Sequence, residues 1–295
     1  MTNQPLQGRV AVVAGATRGA GRGIAVQLGK AGATVYVTGR STREGRSEID
    51  RKETIEETAE LVTAAGGVGI AVRTDHTVPE QVEALFERVK KEQAGRLDVL
   101  VNDVWGCEQY IDFGRRFWEQ PLSNALVMQE RAVKSHLITS YYGVPLMVAR
   151  GGGLVVEITD GDSYAVREGA GAGYSLAKIA NIHLAAALAS ELKPFGVSAV
   201  SLTPGFLRSE QMLDLFGVTA DTWREAADPH FVACSETPAY IGAAVVALAS
   251  DPDILAKSGQ AFSTWRCADE YGIRDADGSQ PHWGNYYASI RDNTR

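Results

Sequence analysis

Apolar residues fall into two alternating patterns along the chain. Continuous runs of strand length, such as Val10-Ala11-Val12-Val13-Ala14, stand between longer segments whose apolar positions recur at helical spacing. A run that is apolar throughout predicts a strand buried on both faces. Strands are predicted at 10–14, 34–38, 68–73, 97–101, 154–159, 197–202 and 260–265. Helices are predicted at 24–31, 53–65, from Thr77 to about 93, at about 126–149, at 173–195, and from Thr237-Pro238 onward. Thr77 is expected to cap its helix, with Glu80 three residues on as in a capping box. Thr237 is expected to cap the later helix, with Pro238 in its first turn. Residues 41–52 read as a charged surface loop, and 103–125 as irregular and aromatic. Residues 206–230 stand where an open α/β fold usually places a mobile lid over substrate, and 266–295 read as a polar, aromatic tail without periodicity. Strands alternating with helices throughout imply an α/β protein with a doubly wound parallel sheet of the Rossmann type, as a single domain spanning 1–295.

Composition narrows the class. At 295 residues, 45% hydrophobic and 22% charged, the chain has the make-up of a soluble globular protein. A formal net charge of −7 argues against wholesale nucleic-acid binding. Cys107, Cys234 and Cys267 are far apart, fit no metal spacing and suit a reducing cytoplasm. Met1 to Gly8 lacks the apolar core of a signal peptide, and stretches such as Ile182 to Ala189 end too soon to span a membrane. A cytoplasmic protein acting on a small molecule, without metal, nucleic acid or membrane, is expected.

Two motifs carry chemistry. Gly15-Ala16-Thr17-Arg18-Gly19-Ala20-Gly21 sits between a predicted strand and a predicted helix, where glycines let a pyrophosphate approach the helix N-terminus. Downstream, Tyr174 and Lys178 stand at i and i+4 and share one helix face. There an ammonium lowers the phenol pKa and makes a proton donor suited to neutral pH. In that order the motifs read as a nicotinamide-dependent oxidoreductase. The second strand ends in Thr38-Gly39-Arg40-Ser41, with no carboxylate to hold a ribose 2′-hydroxyl. Arg40 and Arg18 instead offer guanidiniums to a 2′-phosphate, predicting NADP(H) over NAD(H).

With these motifs in order, residues 8 to 265 resemble the short-chain dehydrogenase/reductase family. Stretches such as Gly95-Arg96-Leu97-Asp98-Val99-Leu100-Val101-Asn102 and Tyr271-Gly272-Ile273-Arg274-Asp275-Ala276-Asp277-Gly278 are similar to its branch called dehydrogenase/reductase member one. The resemblance implies cofactor contacts from the glycine turn (Gly15, Thr17, Arg18, Gly19, Gly21) with Ile24, and from Arg40. It also implies contacts from Asp75 with His76, from Asn102, and from Pro204, Gly205, Leu207 and Ser209 around the nicotinamide amide. Tyr174 would be the proton donor or acceptor; Lys178 would bind the nicotinamide ribose and lower the tyrosine pKa. The family also implies a homo-oligomer, dimer or tetramer, for which the helices at 126–149 and 173–195 carry apolar surface.

The chain departs from the family in three places. Asn-Asn-Ala-Gly has become Asn102-Asp103-Val104-Trp105-Gly106. The helix that supplies a catalytic asparagine reads Arg131-Ala132-Val133-Lys134-Ser135-His136. The serine that polarises the substrate carbonyl is replaced by Asp160 in Ile158-Thr159-Asp160-Gly161-Asp162-Ser163. An ionised aspartate cannot donate a hydrogen bond. Next to a phenolate, at about 5 Å and an effective dielectric near 20, it costs roughly 3 kcal/mol, about 2 pKa units, which Lys178 can offset. Asp160 is therefore a protonated donor, an acceptor from a substrate hydroxyl or cationic nitrogen, a residue replaced in function by Ser163, or purely structural.

Weaker signals are His76 and His136, read as interior histidines with a proton relay as the alternative for His136. Trp105, Tyr110, Phe113, Phe117 and Trp118 are read evenly as pocket wall or core, and Arg208 and Glu210 as lid residues facing substrate. The leading function is an NADP(H)-dependent oxidoreductase acting on a carbonyl or hydroxyl carbon. Its rivals are a cofactor-binding protein without dehydrogenase chemistry and an enzyme of the same fold that reduces an imine with Asp160 as anion.

Overall fold

The structure, a computed structural model, describes residues 4–165 and 169–292. Among these residues the apolar runs form nine strands: β1 (Val10–Ala14), β2 (Thr34–Gly39), β3 (Val68–Arg73), β4 (Val99–Asn102), β5 (Gly153–Ile158), β6 (Val197–Thr203), β7 (Phe206–Leu207), β8 (Ser235–Glu236) and β9 (Ala261–Ser263). Seven of them make one parallel sheet in the order β3-β2-β1-β4-β5-β6-β9, and β7 and β8 pair separately. Every residue of β1, β4 and β6 is buried, as expected of strands covered on both faces, whereas β3 at the edge is largely open.

The helices are α1 (Gly19–Lys30), α2 (Ile55–Ala64), α3 (Pro79–Glu92), α4 (Leu122–Gln129), α5 (Ser135–Arg150), α6 (Ala172–Leu192), α7 (Glu210–Leu215), α8 (Pro229–Cys234), α9 (Pro238–Ser250), α10 (Thr264–Tyr271) and α11 (Trp283–Asp292). One apolar layer packs α1, α2 and α9 on the sheet through Ile24, Leu28, Val62, Ile241 and Leu248. The opposite layer uses Phe86, Val89, Met147 and Leu192 from α3, α5 and α6. The strand order reverses between β1 and β4, which opens a crevice at the carboxyl ends of the strands. No helix among the described residues is long and apolar enough to cross a membrane.

Three expectations are corrected, and one further segment is filled in. Thr77 does not cap α3: Pro79 takes the first helical position, Val78 precedes it, and the Thr77 hydroxyl donates to Asp75 Oδ1 at 2.7 Å. The helix expected at about 126–149 starts at Leu122 and is interrupted by a π turn over Glu130–Lys134, where each N–H bonds one residue further back. The segment 206–230, to which the sequence assigns no elements, holds β7, α7, a 3₁₀ turn at Trp223–Glu225 and the start of α8. The tail holds two helices, α10 and α11; its last residues, 293–295, lie outside the described residues.

Candidate active site

The glycine turn is anchored from three sides. The N–H groups of Gly15 and Ala16 both donate to Thr38 O, at 3.1 and 2.9 Å. Gly15 has φ +86°, and a Cβ there would stand 2.4 Å from the Asp103 carbonyl oxygen, so only glycine closes this turn. Asp103 lies beneath it: its N–H donates to Ala14 O, and its carboxylate accepts from the Gly21 N–H. Burial pushes the Asp103 carboxyl up to about 7, against the pull of Lys178. At the start of α1 the Gly19 N–H donates to Glu210 Oε2 at 2.8 Å, so this helix end already holds an anion.

Tyr174 and Lys178 project from the first two turns of α6 toward the end of β5. The Tyr174 hydroxyl donates to Asp160 Oδ2 at 2.6 Å. The Thr159 hydroxyl donates to the Lys178 carbonyl at 2.6 Å and ties that turn of α6 to the strand end that carries Asp160. The Tyr174 ring meets Trp105 and Phe113 edge-on, with centroids 5.5 and 5.6 Å away. Lys178 Nζ lies 4.0 Å from the Trp105 ring centre and 5.6 Å from that of Tyr174. Burial lowers the Lys178 pKa, opposed by the charges of Asp160 and Asp103.

One cavity of about 750 Å³ joins these two constellations. Its walls include Gly15, Thr17, Arg18 and Gly19 at the turn, Arg40, Asp75 and His76 beyond β2 and β3, Asp160, Tyr174 and Lys178 at the centre, and Pro204, Gly205, Leu207 and Ser209 after β6. The Arg40 Nη1 lies 4.0 Å from Asp75 Oδ2, and Arg18 lies 3.6 Å from Glu108. Burial pushes Asp75 up, yet the Thr77 hydroxyl and N–H, with Arg40, hold it below its ordinary value.

The family model for short chain dehydrogenases matches residues 9–216. The chain belongs to the short-chain dehydrogenase family. It is 39% identical over 282 residues to Dehydrogenase/reductase SDR family member 1 of Mus musculus, covering 93% of this chain and 85% of that protein. In fold it is similar to a short chain dehydrogenase from Mycobacterium thermoresistibile, with a TM-score of 0.76 at 21% identity over 95% of this chain and 92% of the other. It is also similar to a metagenomic short-chain oxidoreductase solved in complex with NADP, with a TM-score of 0.64 at 24% identity over 84% and 94%.

Not every residue implied by the short-chain dehydrogenase resemblance reaches the cavity. Ile24 is fully buried under the turn, and Gly21 lies behind it against Gly15 and Asp103. Asn102 is also fully buried: its amide donates to Glu157 Oε1 at 2.7 Å and to Ser140 Oγ at 2.9 Å. His136 is interior as well, with Nδ1 2.7 Å from Glu157 Oε2 and Nε2 3.1 Å from Val104 O. Both ring nitrogens face acceptors, so neither is turned to the cavity. His76 touches the cavity edge but is 2% exposed and held between the hydroxyls of Thr38 and Thr139; burial pushes its pKa down to about 3. Ser163 is exposed, accepts from the Ala165 N–H, and does not line the cavity.

Of the aromatic cluster, Trp105 and Phe113 wall the cavity, Tyr110 packs behind them, and Phe117 and Trp118 are exposed. Arg208 faces inward instead of toward substrate, paired with Asp275 at 3.1 Å and stacked on Trp223.

Sequence reasoning missed the far wall. Asp275 accepts from the Thr237 N–H at 2.8 Å and, with Arg208, fastens the tail to the body of the protein. Beyond it α11 lays Trp283, Tyr287 and Ile290 on the cavity. Trp283 Cβ would stand 2.8 Å from a Cβ at Gly205, so the glycine admits the helix. The Gly205 N–H donates to buried Glu236, whose carboxyl burial pushes up to about 8. The aromatic content of the tail was the available signal, but aromatic residues spaced along so short a helix do not reveal which cavity they face.

Proposed function

We propose that this chain is an NADP(H)-dependent oxidoreductase that moves a hydride between nicotinamide and a carbonyl or hydroxyl carbon of a small molecule. The observation that carries this reading is the Tyr174–Asp160 hydrogen bond inside the cavity, one helical turn from Lys178. The residues present fit a dinucleotide. Gly15 leaves the turn free of side chain, the start of α1 accepts a carboxylate, and Arg18 and Arg40 stand on the wall where an adenosine phosphate needs cations. Pro204, Gly205, Leu207 and Ser209 face the same space. The bound cofactor supplies or takes the hydride.

The protein's own groups handle the proton. When a substrate hydroxyl is oxidised, Tyr174 Oη accepts its proton while the phenol proton passes along the existing hydrogen bond to Asp160 Oδ2. In reduction the same path runs backwards: Asp160 reprotonates Tyr174 as Tyr174 protonates the product oxygen. Lys178 Nζ, 5.6 Å from the Tyr174 ring centre, acts electrostatically on the Tyr174–Asp160 pair during the transfer. Asp160 thus stands in for the serine and asparagine of the family with a proton acceptor, a role the acceptor geometry favours over donation. Trp105, Phe113 and the α11 residues exclude water around the reacting carbon. The exposed apolar side chains Leu126, Leu137, Tyr141 and Leu176 on α4, α5 and α6 are proposed to pack in a homo-oligomer.

The reading is tested by following NADPH absorbance with aldehydes, ketones, quinones and imines. Turnover of carbonyls supports it, turnover of imines alone moves Asp160 to the role of partner for a cationic nitrogen, and cofactor binding without turnover of any compound identifies a binder.

A further inference from the structure

We infer that Glu48 is an internal substitute for the cofactor's 2′-phosphate, and that Arg131 is a further ligand of that phosphate in addition to Arg40 and Arg18. The inference rests on the NADP(H) reading above. Arg40, at the end of β2, places Nη2 2.8 Å from Glu48 Oε1. Arg131, from the π turn between α4 and α5, places Nη2 2.6 Å from the same oxygen. Two guanidiniums from opposite sides of the crevice therefore converge on one carboxylate oxygen, at the end of the cavity where Asp75 and Arg40 meet.

The two arginines are built in, and the glutamate is not. Arg131 is braced from behind, since Nη1 donates to the Gly106 carbonyl at 2.5 Å and its guanidinium lies over Tyr110 at 5.4 Å. Its side chain is 16% exposed and that of Arg40 28%, against 41% for Glu48. π turns are rare and concentrate at functional sites, and this one carries Arg131. Glu48 belongs to the loop at 41–52, whose ends are tied to α2 and α7 by Arg43–Glu60 and Arg51–Asp214. The middle of the loop is held to itself by the Ser41–Ser47 hydroxyl contact at 3.0 Å. Its neighbours Ser47 and Ile49 line the cavity, so the loop lies across the adenosine end. Burial pushes the Glu48 carboxyl up, but its hydrogen bonds and the charges of Arg40 and Arg131 hold it below its ordinary value, so it is anionic there.

A 2′-phosphate brings three acceptor oxygens and nearly twice the charge of a carboxylate, and it engages both guanidinium forks where Glu48 offers one shared oxygen. It cannot occupy that place with Glu48. Entry of NADP(H) therefore displaces Glu48 and loosens the middle of the loop around it, whereas NAD(H) leaves Glu48 in position. Selectivity then depends on Glu48 and Arg131 as well as on Arg18 and Arg40, and the sequence motifs show only the last two.

The test uses calorimetric binding of 2′,5′-ADP and of 5′-ADP, which differ only in the 2′-phosphate, to the intact protein. Arg131→Ala is expected to weaken 2′,5′-ADP about ten- to hundredfold and to bring its affinity toward that of 5′-ADP. Glu48→Gln, a substitution on the loop surface, is expected to tighten 2′,5′-ADP several-fold, roughly the loss of one competing ion pair. Amide hydrogen exchange at 41–52 is expected to rise with 2′,5′-ADP and not with 5′-ADP. If Arg131→Ala weakens both ligands equally, or Glu48→Gln weakens either one, the inference is overturned. Wild-type protein that binds both ligands alike overturns the NADP(H) reading itself. Wild-type preference for 2′,5′-ADP that survives both substitutions unchanged overturns the inference alone.

Discussion

The Tyr174 hydroxyl donates to Asp160 Oδ2 at 2.6 Å on the wall of the cavity. The tyrosine proton therefore has an acceptor inside the cavity. Under the proposed function the aspartate takes the tyrosine proton rather than acting as a second donor.

Replacing Asp160 with asparagine, serine and alanine is accordingly expected to lower kcat in all three variants by roughly 10²- to 10⁴-fold, the usual span of a general base. Affinity for the cofactor is expected to hold. Steady-state kinetics on any substrate found by screening checks this, and a serine variant as fast as wild type would mean that Asp160 only fills the serine's place.

Arg40 stands on the cavity wall beside Asp75. Arg40→Ser is expected to reduce the ratio of NADPH to NADH affinity about ten- to hundredfold, as expected for losing charge-assisted hydrogen bonds of roughly 1.5–3 kcal/mol. Fluorescence titration with each reduced cofactor measures the ratio. An unchanged ratio would place the 2′-phosphate elsewhere.

Two buried groups set opposite slopes in the dependence of stability on pH. The Glu236 carboxyl, at 4.5 in an unfolded chain, is raised to about 8, so the folded state binds its proton more tightly and stability falls as pH rises through that window. His76, lowered from 6.5 to about 3, binds its proton more weakly when folded, so its contribution is complete above 6.5 and is lost as pH falls below. Asp103, raised from 3.8 to about 7, acts in the same direction as Glu236. Between pH 6.5 and 8 only falling contributions from these three remain. The Tm of wild type is expected to drop across that range and that of Glu236→Gln to drop less. Equal slopes in thermal melts would contradict the burial of a protonated Glu236.

The tail lines the cavity through Trp283, Tyr287 and Ile290, and under the proposed function this wall meets the organic substrate. Tyr287→Ala and Ile290→Ala are expected to raise KM for the organic substrate while KM for the cofactor stays within about twofold, because uniform substrate binding is what such walls supply. A matching rise in KM for the cofactor would put α11 against the dinucleotide instead.

Much of the fold is legible from single residues. Val10-Ala11-Val12-Val13-Ala14 is apolar at every position because β1 is covered on both faces, and the glycines after it mark the turn. Tyr174 and Lys178 meet the cavity together because helical spacing fixes their shared face. What escapes the sequence is set by chain reversal and burial. The inward turn of the Asn102 amide, drawn into the core by the buried carboxylate of Glu157 paired to it across β4 and β5, is one such feature. Glu48 reads as one charge among many in a polar loop, and only folding brings it onto Arg40 and Arg131. Thr77 has the right type and spacing for a cap, but Asp75 two residues earlier takes its hydroxyl.

The most direct test of Tyr174 as the proton-transferring group is the rate of NADPH oxidation on a turned-over carbonyl, wild type beside Tyr174→Phe, with NADPH binding measured on both. Tyr174→Phe removes the hydroxyl and with it both the donor to substrate and the link to Asp160. The expected result is NADPH bound as in wild type and turnover reduced by roughly 10²- to 10⁴-fold. Turnover at the wild-type rate in Tyr174→Phe would contradict it.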